Sequence, residues 1–319
     1  MEALADEVRV FMGDDRLEVT ATPAVSVIVP HYNDLANLDR CLQSLAAQTY
    51  PSDRLEIVVG DNNSPQGLEA VEKAVAGRAR VVVVTDRGAG PARNGAVAAS
   101  SGEVLAFIDS DCRAEPQWIV EGVRALGDFD FVGGRVTVLV DDWDALTAVE
   151  AFERVFAFNF KDYVEKKSFT GSGNLFCSRA LFAAVGGFRV GVSEDVEWSR
   201  RAVAAGKRLG YAPEAVIGHP ARHDWAELLQ KWRRLNREMF LLEIERPAGR
   251  LRWLVKGLAM PASAIAHIPK VMMSDQLITP RERMMAIKVL FAIRCWRGAD
   301  AISLLLRPPP GAAKPAYGA

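Results

Sequence analysis

Cysteine and net charge are scarce in this 319-residue chain, and each shortage excludes a class of protein. The cysteines are scattered without the spacing of metal ligands, at Cys41, Cys112, Cys177 and Cys295. We therefore expect a reduced, cytoplasmic protein. The N-terminus also lacks a basic segment followed by an apolar core, so we expect no signal peptide.

The net charge of −1 conceals two parts of opposite sign. Residues 1–219 carry a net charge of −10, whereas residues 220–319 carry +9. The acidic front part does not suggest a nucleic-acid groove, and we expect no nucleic-acid partner. The basic back part indicates contact with an anionic membrane surface or with a phosphorylated substrate.

Two phosphate-binding loops are also missing from the sequence. No Gly-x-Gly-x-x-Gly motif follows the first predicted strand, which argues against a dinucleotide-dependent oxidoreductase. No Gly-x-x-x-x-Gly-Lys-Ser/Thr loop is present, which excludes a nucleotide hydrolase of the Walker type. The chain does have abundant apolar residues, 50% of the total, enough for one large α/β domain with an extension or for two domains.

Short apolar strands alternate with helices in the first part of the chain. Strands are predicted at 25–29, 55–59, 80–84 and from 104, and helices at 35–47, 68–76 and 92–99. This alternation predicts an α/β fold with a doubly wound, mostly parallel sheet and helices on both faces. Later helices are predicted at 116–126, 143–160, from 179, 193–205 and 224–245, with strands at 131–140 and 216–218.

Two carboxylates follow the apolar strand that begins at Val104. Asp109 and Asp111 are separated by the small residue Ser110, just where a buried strand would reach the carboxyl edge of the sheet. A turn there can bring both carboxylates to one cation, and Mg²⁺ or Mn²⁺ prefers such oxygen ligands. An ordinary polar turn is the alternative interpretation.

Other polar groups follow the neighbouring strands. Residues 30–34 and 60–64 could hydrogen-bond a base and a ribose, although helix capping explains the same residue types. The glycines at 88–90 lead into a helix whose first turn carries Arg93, which could hold a phosphate or a carboxylate. A plain strand-to-helix turn would look the same.

Three acids fall within four residues at the start of the helix predicted over 193–205. Glu194, Asp195 and Glu197 follow Ser193, which suits an N-cap. Acids in a first helical turn are favoured by the helix dipole, but three exceed what capping requires. A helix start can also hold a carboxylate ionised and oriented, as a general base must be.

The order of these motifs resembles the family-2 glycosyltransferases, which have the nucleotide-sugar-binding GT-A fold. The resemblance covers residues 24–219. The matching segments are VSVIVPHYN (25–33), VVGDNNS (58–64), GPARN (90–94), FIDSD (107–111), GSGNLF (171–176), VGGF (185–188) and EDVE (194–197).

The resemblance implies a role for each matching position. Donor binding falls to Pro30, Tyr32, Asn33, Asp61, Arg93, Asn94, Asp109 and Ser110, with Asp61 contacting the base. The implied metal ligands are Asp109 and Asp111, with His219 as a further candidate. The implied catalytic base is Asp195, supported by Glu194, while the sugar and acceptor pocket is lined by Gly173, Asn174 and Trp198.

The implied activity is inverting transfer of one sugar from a nucleoside-diphosphate sugar, preferably a UDP-sugar, to an acceptor hydroxyl. The cofactor would be Mg²⁺ or Mn²⁺, and the acceptor a carbohydrate or a lipid-linked glycan in cell-surface glycan, polysaccharide or glycolipid synthesis. Processive synthases of the family carry Gln-x-x-Arg-Trp, which the segment 229–234 does not match. The alternatives are a sugar-1-phosphate nucleotidyltransferase, whose Gly-rich loop is missing at 31–34, and a non-catalytic membrane-associated scaffold.

The domain prediction separates a flexible lead-in (1–22), a catalytic domain (23–222), a basic helical extension (223–306) and a disordered tail (307–319). Two apolar stretches of the extension, 251–273 and 284–306, contain several charges and so do not suit spanning helices. One hypothesis is peripheral contact with the cytoplasmic face of the inner membrane. The alternative is a helical subdomain packed on the catalytic domain.

Overall fold

The computed structural model describes residues 22–309, so the predictions for residues 1–21 and 310–319 lie outside it. The described chain forms strands β1 (Val25–His31), β2 (Leu55–Asp61), β3 (Arg80–Val83), β4 (Val104–Ile108), β5 (Arg113–Ala114), β6 (Phe131–Leu139), β7 (Asn174–Ser178) and β8 (Leu209–Pro220). Its helices are α1 (Leu35–Ala46), α2 (Leu68–Val75), α3 (Ala89–Ala98), α4 (Trp118–Ala125), α5 (Ala148–Phe156), α6 (Phe160–Lys167), α7 (Arg179–Val185), α8 (Glu194–Ala204), α9 (Trp225–Ile244), α10 (Gly249–Ala266), α11 (Ile268–Met272) and α12 (Pro280–Leu306).

All eight strands form one sheet in the order β3-β2-β1-β4-β7-β6-β8-β5. Strands β1 to β4 pair in parallel, whereas β7 runs antiparallel to both β4 and β6. The parallel strands deliver the loops after β1, β2 and β4 to one edge of the sheet. The predicted α/β fold, with a mostly parallel sheet and a helical C-terminal region, is confirmed.

The position of β4 between two cores explains why its sequence is apolar throughout. Ala106 and Ile108 face a core formed with α1, α2 and α4, whereas Leu105 and Phe107 face a second core formed with α3, α7 and α8. Every residue of β4 is buried. Burying a side chain such as Phe107 contributes about 1.5–3 kcal/mol relative to leaving it exposed, so the two cores fix the strand that ends at the acidic pair.

The predicted helix over 143–160 is wrong, because the chain forms two shorter helices there. A capping box begins α5, in which Thr147 and Glu150 satisfy each other's backbone N–H groups. The helix ends before Phe158, whose φ of 55° belongs to the left-handed region. Asn159 then caps α6 by accepting a hydrogen bond from the backbone of Asp162.

Two strands differ from prediction. The sequence analysis assigned no strand to 174–178, yet β7 occupies the centre of the sheet between β4 and β6. The predicted strand at 216–218 is only the end of β8, which begins at Leu209. The β8 pairing with β6 shifts register between Gly134 and Arg135, so residues 213–215 form a bulge that interrupts the sequence pattern.

The C-terminal helices pack on the rest of the protein along one side. Ala286, Leu290 and Ile293 of α12 contact an apolar cluster that includes Val149 and Phe152 of α5. The amphipathic helix α9 lies beside α12, and α10 packs on both. Over residues 22–309, no helix combines the length and the apolar character needed to cross a bilayer.

Candidate active site

A cavity of about 1300 Å³ opens at the carboxyl edge of the parallel strands. Ten of the predicted site residues line it, namely Pro30, Tyr32, Arg93, Asp109, Ser110, Asp111, Gly173, Glu194, Asp195 and His219. Residues of α9, α10 and α12 form a second part of its wall. The acids that follow β4 and those that begin α8 therefore share one cleft, although they are far apart in the chain.

The buried side chain of Arg93 joins the two acidic motifs. Its guanidinium donates one hydrogen bond to Asp109 (2.5 Å) and another to Glu194 (2.8 Å). Burial disfavours ionised Asp109, but the charge and hydrogen bond of Arg93 outweigh burial and hold the pKa of that carboxyl below its usual value. Sequence reasoning expected Arg93 to hold a phosphate or a carboxylate, and it holds two carboxylates.

The carboxyl group of Asp195 lies at the first turn of α8, on the cavity wall. Ser193 donates a hydrogen bond to one of its oxygens (2.9 Å), and the backbone N–H of Val196 donates another to the same oxygen (2.7 Å). Burial and the neighbouring charge of Glu194 raise the pKa of Asp195 to about 6. A carboxylate with this pKa is ionised at neutral pH and binds a proton more readily than an ordinary aspartate.

The side chains of Asp111 and His219 meet on the same wall. Pairing of β5 with β8 brings them together, with 3.4 Å between the Asp111 carboxylate and Nε2 of His219. Nδ1 of His219 lies 2.7 Å from the carbonyl oxygen of Pro220, which can only accept, so Nδ1–H donates this hydrogen bond and the unprotonated Nε2 is available as a ligand. This pair fits a divalent cation. The neighbouring thiol of Cys112 fits poorly, because burial raises its pKa well above the usual range.

The backbone at Gly173 lies directly against the acidic pair. Antiparallel pairing of Ile108 with Asn174 places Gly173 beside Asp109. A methyl group added at Gly173 would lie 2.6 Å from a carboxylate oxygen of Asp109. The position therefore requires glycine for reasons of space.

The structure contradicts two of the predicted substrate contacts. Trp198 is fully buried between Phe131 and Phe182, and its indole N–H donates to the carbonyl of Gly186. Asn174 is also fully buried, and its amide contacts only Trp118 and the carbonyls of residues 135 and 215. Both side chains support the wall from behind and are not part of it.

Three further predicted residues lie beside the cavity but are not on its wall. The buried carboxylate of Asp61 accepts hydrogen bonds from His31 (2.8 Å) and from the hydroxyl and backbone N–H of Ser64. Asn33 links the same two loops through its own contact with Ser64. Asn94 bonds the backbone of Phe188 and so fixes the loop before α8.

Sequence reasoning missed the second wall of the cavity. Lys231 and Arg234 of α9 line it, as do Lys167 of α6 and Arg297 of α12. Lys231 forms an ion pair with the buried Glu153 (2.9 Å). The basic excess after residue 220, to which Lys231, Arg234 and Arg297 belong, was visible in the sequence. Nothing in the pattern showed that these cations line the same cavity as the acidic motifs.

Comparisons with known proteins agree on the family. The model of glycosyl transferase family 2 matches residues 26–186. The chain is 29% identical over 300 residues to glycosyltransferase AglE of Haloferax volcanii, covering 89% of this chain and 97% of that protein. It is 36% identical over 110 residues to the putative glycosyltransferase EpsH of Bacillus subtilis, covering 34% of this chain and 31% of that protein.

Solved structures share the fold at low sequence identity. A mannosyltransferase from Pyrobaculum calidifontis, PcManGT, in complex with GDP-Man and Mn²⁺, matches with a TM-score of 0.51 and 21% identity over 92% of this chain and 78% of that chain. S. aureus TarS 1–349 in complex with UDP-GlcNAc matches with a TM-score of 0.50 and 18% identity, covering 90% of this chain and 76% of that chain.

Replacing Arg93 with Met should destabilise the protein, because Asp109 and Glu194 would lose their shared cation. We expect the free energy of unfolding in urea at pH 7.5 to fall by about 3 kcal/mol. Wild-type Asp109 has a lowered pKa, so its contribution is present above the unfolded value near 4 and is lost below it. The difference between the two proteins should therefore persist down to about pH 4 and shrink as the pH falls below that value.

Arg93→Lys is the matched control, since it keeps the charge but cannot bond both carboxylates in the same way. It should recover part of the loss. Equal stability of the Met variant and the wild type at pH 7.5 would show that Arg93 does not hold the two motifs together.

Proposed function

The chain belongs to glycosyl transferase family 2, and from that premise we propose that it moves a single sugar from a nucleoside-diphosphate sugar to an acceptor hydroxyl with inversion. The observation that carries the proposal is the position of Asp195 in one cavity with Asp109 and Asp111. A base, a metal-binding pair and the ends of the parallel strands are then within reach of one bound substrate. Membership of glycosyl transferase family 2 argues against the alternative of a sugar-1-phosphate nucleotidyltransferase.

The donor would bind at the edge formed by the loops after β1 and β4. Pro30 and Tyr32 line this part of the cavity, and Asp61 supports the loop from below through His31 and Ser64. The similar fold of PcManGT was solved with GDP-Man, and that of TarS with UDP-GlcNAc. We propose a UDP-sugar as the preferred donor, and a GDP-sugar is the alternative donor to compare with it.

Asp111 and His219 would hold Mg²⁺ or Mn²⁺, with Asp109 beside them and fixed by Arg93. The bound cation would offset negative charge on the departing nucleoside diphosphate. Arg93 offsets one of the two negative charges of Asp109 and Glu194 and so would weaken repulsion between the wall and the donor phosphates.

The chemical step needs one proton acceptor, and Asp195 is placed for that role. As the acceptor oxygen attacks the anomeric carbon, its proton passes to the Asp195 carboxylate. A new C–O glycosidic bond forms while the bond from the anomeric carbon to the diphosphate oxygen breaks, and the electron pair leaves with the nucleoside diphosphate. Ser193 and the Val196 N–H hold the carboxylate in place, which supplies the orientation that such a step requires.

The helix α10 carries an exposed apolar stripe that we propose lies on an anionic membrane surface. Leu251, Val255, Leu258 and Ile265 are each about 60% exposed and recur at helical spacing. The exposed cations Arg250, Arg281 and Lys288 occupy the same pair of packed helices, α10 and α12. Apolar contact and positive charge together are what a peripheral anchor on anionic lipid requires.

Asp195→Asn should lower kcat for sugar transfer by about 100-fold or more, because the amide cannot accept the proton. Binding of UDP or GDP, measured by thermal shift with Mn²⁺, should persist.

The raised pKa of Asp195 puts the active, ionised form above about pH 6 in the wild type, so kcat/KM should fall tenfold per pH unit below that value. Asp53→Asn, at an exposed acid, is the control. Unchanged activity of the Asp195 variant would remove the assignment and favour the scaffold alternative.

His219→Ala should weaken the Mn²⁺-dependent part of nucleotide binding, since one of two ligands is lost. We expect the rise in Tm caused by UDP or GDP with Mn²⁺ to shrink toward the rise without Mn²⁺. His223→Ala, at an exposed histidine (side chain 72% exposed), is the matched control and should bind as the wild type does. An identical Mn²⁺ effect in the His219 variant would exclude it as a ligand.

The double variant Leu258→Glu with Ile265→Glu should reduce binding to vesicles that contain anionic lipid by about tenfold in co-sedimentation, because charge on the stripe opposes insertion. The control adds the same two charges at exposed apolar residues elsewhere, Leu68→Glu with Val190→Glu. Full-length protein is used throughout, because α12 contributes to the core beside α5. Equal sedimentation of all three proteins would end the membrane proposal.

A further inference from the structure

Two cations that line the cavity, Lys167 and Arg297, form no hydrogen bond or ion pair with a carboxylate of residues 22–309. Lys167 lies over the ring of Tyr163 (4.9 Å), and Arg297 lies over the ring of Trp232 (3.6 Å). Asp162 acts electrostatically on Lys167, and Asp300 acts on Arg297, but both acids have other partners. Asp162 pairs with Lys166, and Asp300 accepts a hydrogen bond from Asn236.

Arg297 is half-buried without a bonded carboxylate in the described part of the chain, which disfavours its charged form, whereas Lys167 is exposed at the cavity. Burial, followed by the charge of the neighbouring Arg294, lowers the pKa of Arg297 to about 9. Burial likewise lowers the pKa of Lys167, and the charges of Arg294 and Arg297 add to that shift. The cation–π contact of Arg297 offsets only part of the cost of removing its charge from water. An anion that enters the cavity would supply the missing partner.

The position of Tyr163 connects these cations with the proposed base. Tyr163, whose ring Lys167 contacts, lines the same cavity as Asp195 and Arg297. We therefore expect an acceptor that reaches Asp195 through this cavity to meet the two cations. The donor end is formed instead by the loops after β1 and β4.

The same end of the cavity adjoins the apolar stripe of α10. Gly257 and Met260 of α10 line the cavity, while Leu258 on the next position is exposed outside it. An anionic group bound between Lys167 and Arg297 could therefore continue into an apolar chain that leaves along α10.

We propose that Lys167 and Arg297 bind the phosphate of a lipid-linked acceptor, whose apolar chain lies on the exposed stripe of α10. This inference rests on the proposed function, because it names the chemical class of the acceptor for that reaction. It assigns the positive wall a ligand of opposite charge, and it explains why an apolar surface lies next to it.

The test is calorimetric titration of full-length protein with decyl phosphate, decanol and inorganic phosphate, each below any micelle concentration. Decyl phosphate should bind the wild type, and Arg297→Gln should weaken it about tenfold or more, as expected for loss of a charged hydrogen bond. Lys167→Gln should act in the same direction. Arg40→Gln, at an exposed arginine of α1, is the control and should bind as the wild type does.

The three ligands separate the sources of the anion. Weaker binding of inorganic phosphate than of decyl phosphate supports a lipid-linked group, whereas equal binding overturns the lipid assignment. Equal affinity of the Arg297 variant and the wild type for decyl phosphate overturns the subsite.

Nucleotide binding, followed by thermal shift with UDP or GDP and Mn²⁺, is the independent measurement. If the Arg297 variant loses nucleotide binding as severely as decyl phosphate binding, the cations belong to the donor and the inference fails. If the wild type binds neither nucleotide, the proposed donor fails while the result with decyl phosphate still decides the subsite.

Discussion

The buried ion pairs of Arg93 are the contact on which the arrangement of this site depends. Asp109 comes from the end of β4 and Glu194 from the start of α8, and a single guanidinium bonds both. Without it, the two carboxylates would repel each other across the cleft. Because Glu194 is held in this way, its neighbour Asp195 faces the cavity, while the remaining negative charge of Glu194 raises the pKa of Asp195.

The sequence could predict the parts of the fold in which local pattern and burial agree. The strand β4 is apolar on both faces because it lies between two cores, and its end locates Asp109 and Asp111 directly. The strand β7 was missed because its sequence follows a glycine-rich turn and leads at once into α7. The break at Phe158 was missed because a left-handed φ at an aromatic residue has no sequence signal.

The prediction of site residues was wrong where a residue of a motif is buried in the core. The helix α8 begins at the sheet edge and then runs back over the sheet, so its first turn lines the cavity and the next turn is buried. Trp198 therefore packs on Phe131, although it directly follows the acidic motif. A motif match reports that a residue matters, but only the direction of its element decides whether it contacts substrate or supports the wall.

Two arginines that line the cavity differ in their partners. Arg93 has two carboxylate partners and so acts as a fixed part of the wall, whereas Arg297 contacts an aromatic ring and an amide and bonds no carboxylate of residues 22–309. Carboxylates of the first part of the chain, such as Asp109 and Glu194, and cations of the C-terminal helices, such as Lys231 and Arg297, line the same cleft. Under the proposed function, a donor bound with a cation would use the acidic part of the wall, and an anionic acceptor would use the basic part. Two phosphate-bearing substrates would then bind in one cavity without competing for the same charges, and their proximity would favour transfer.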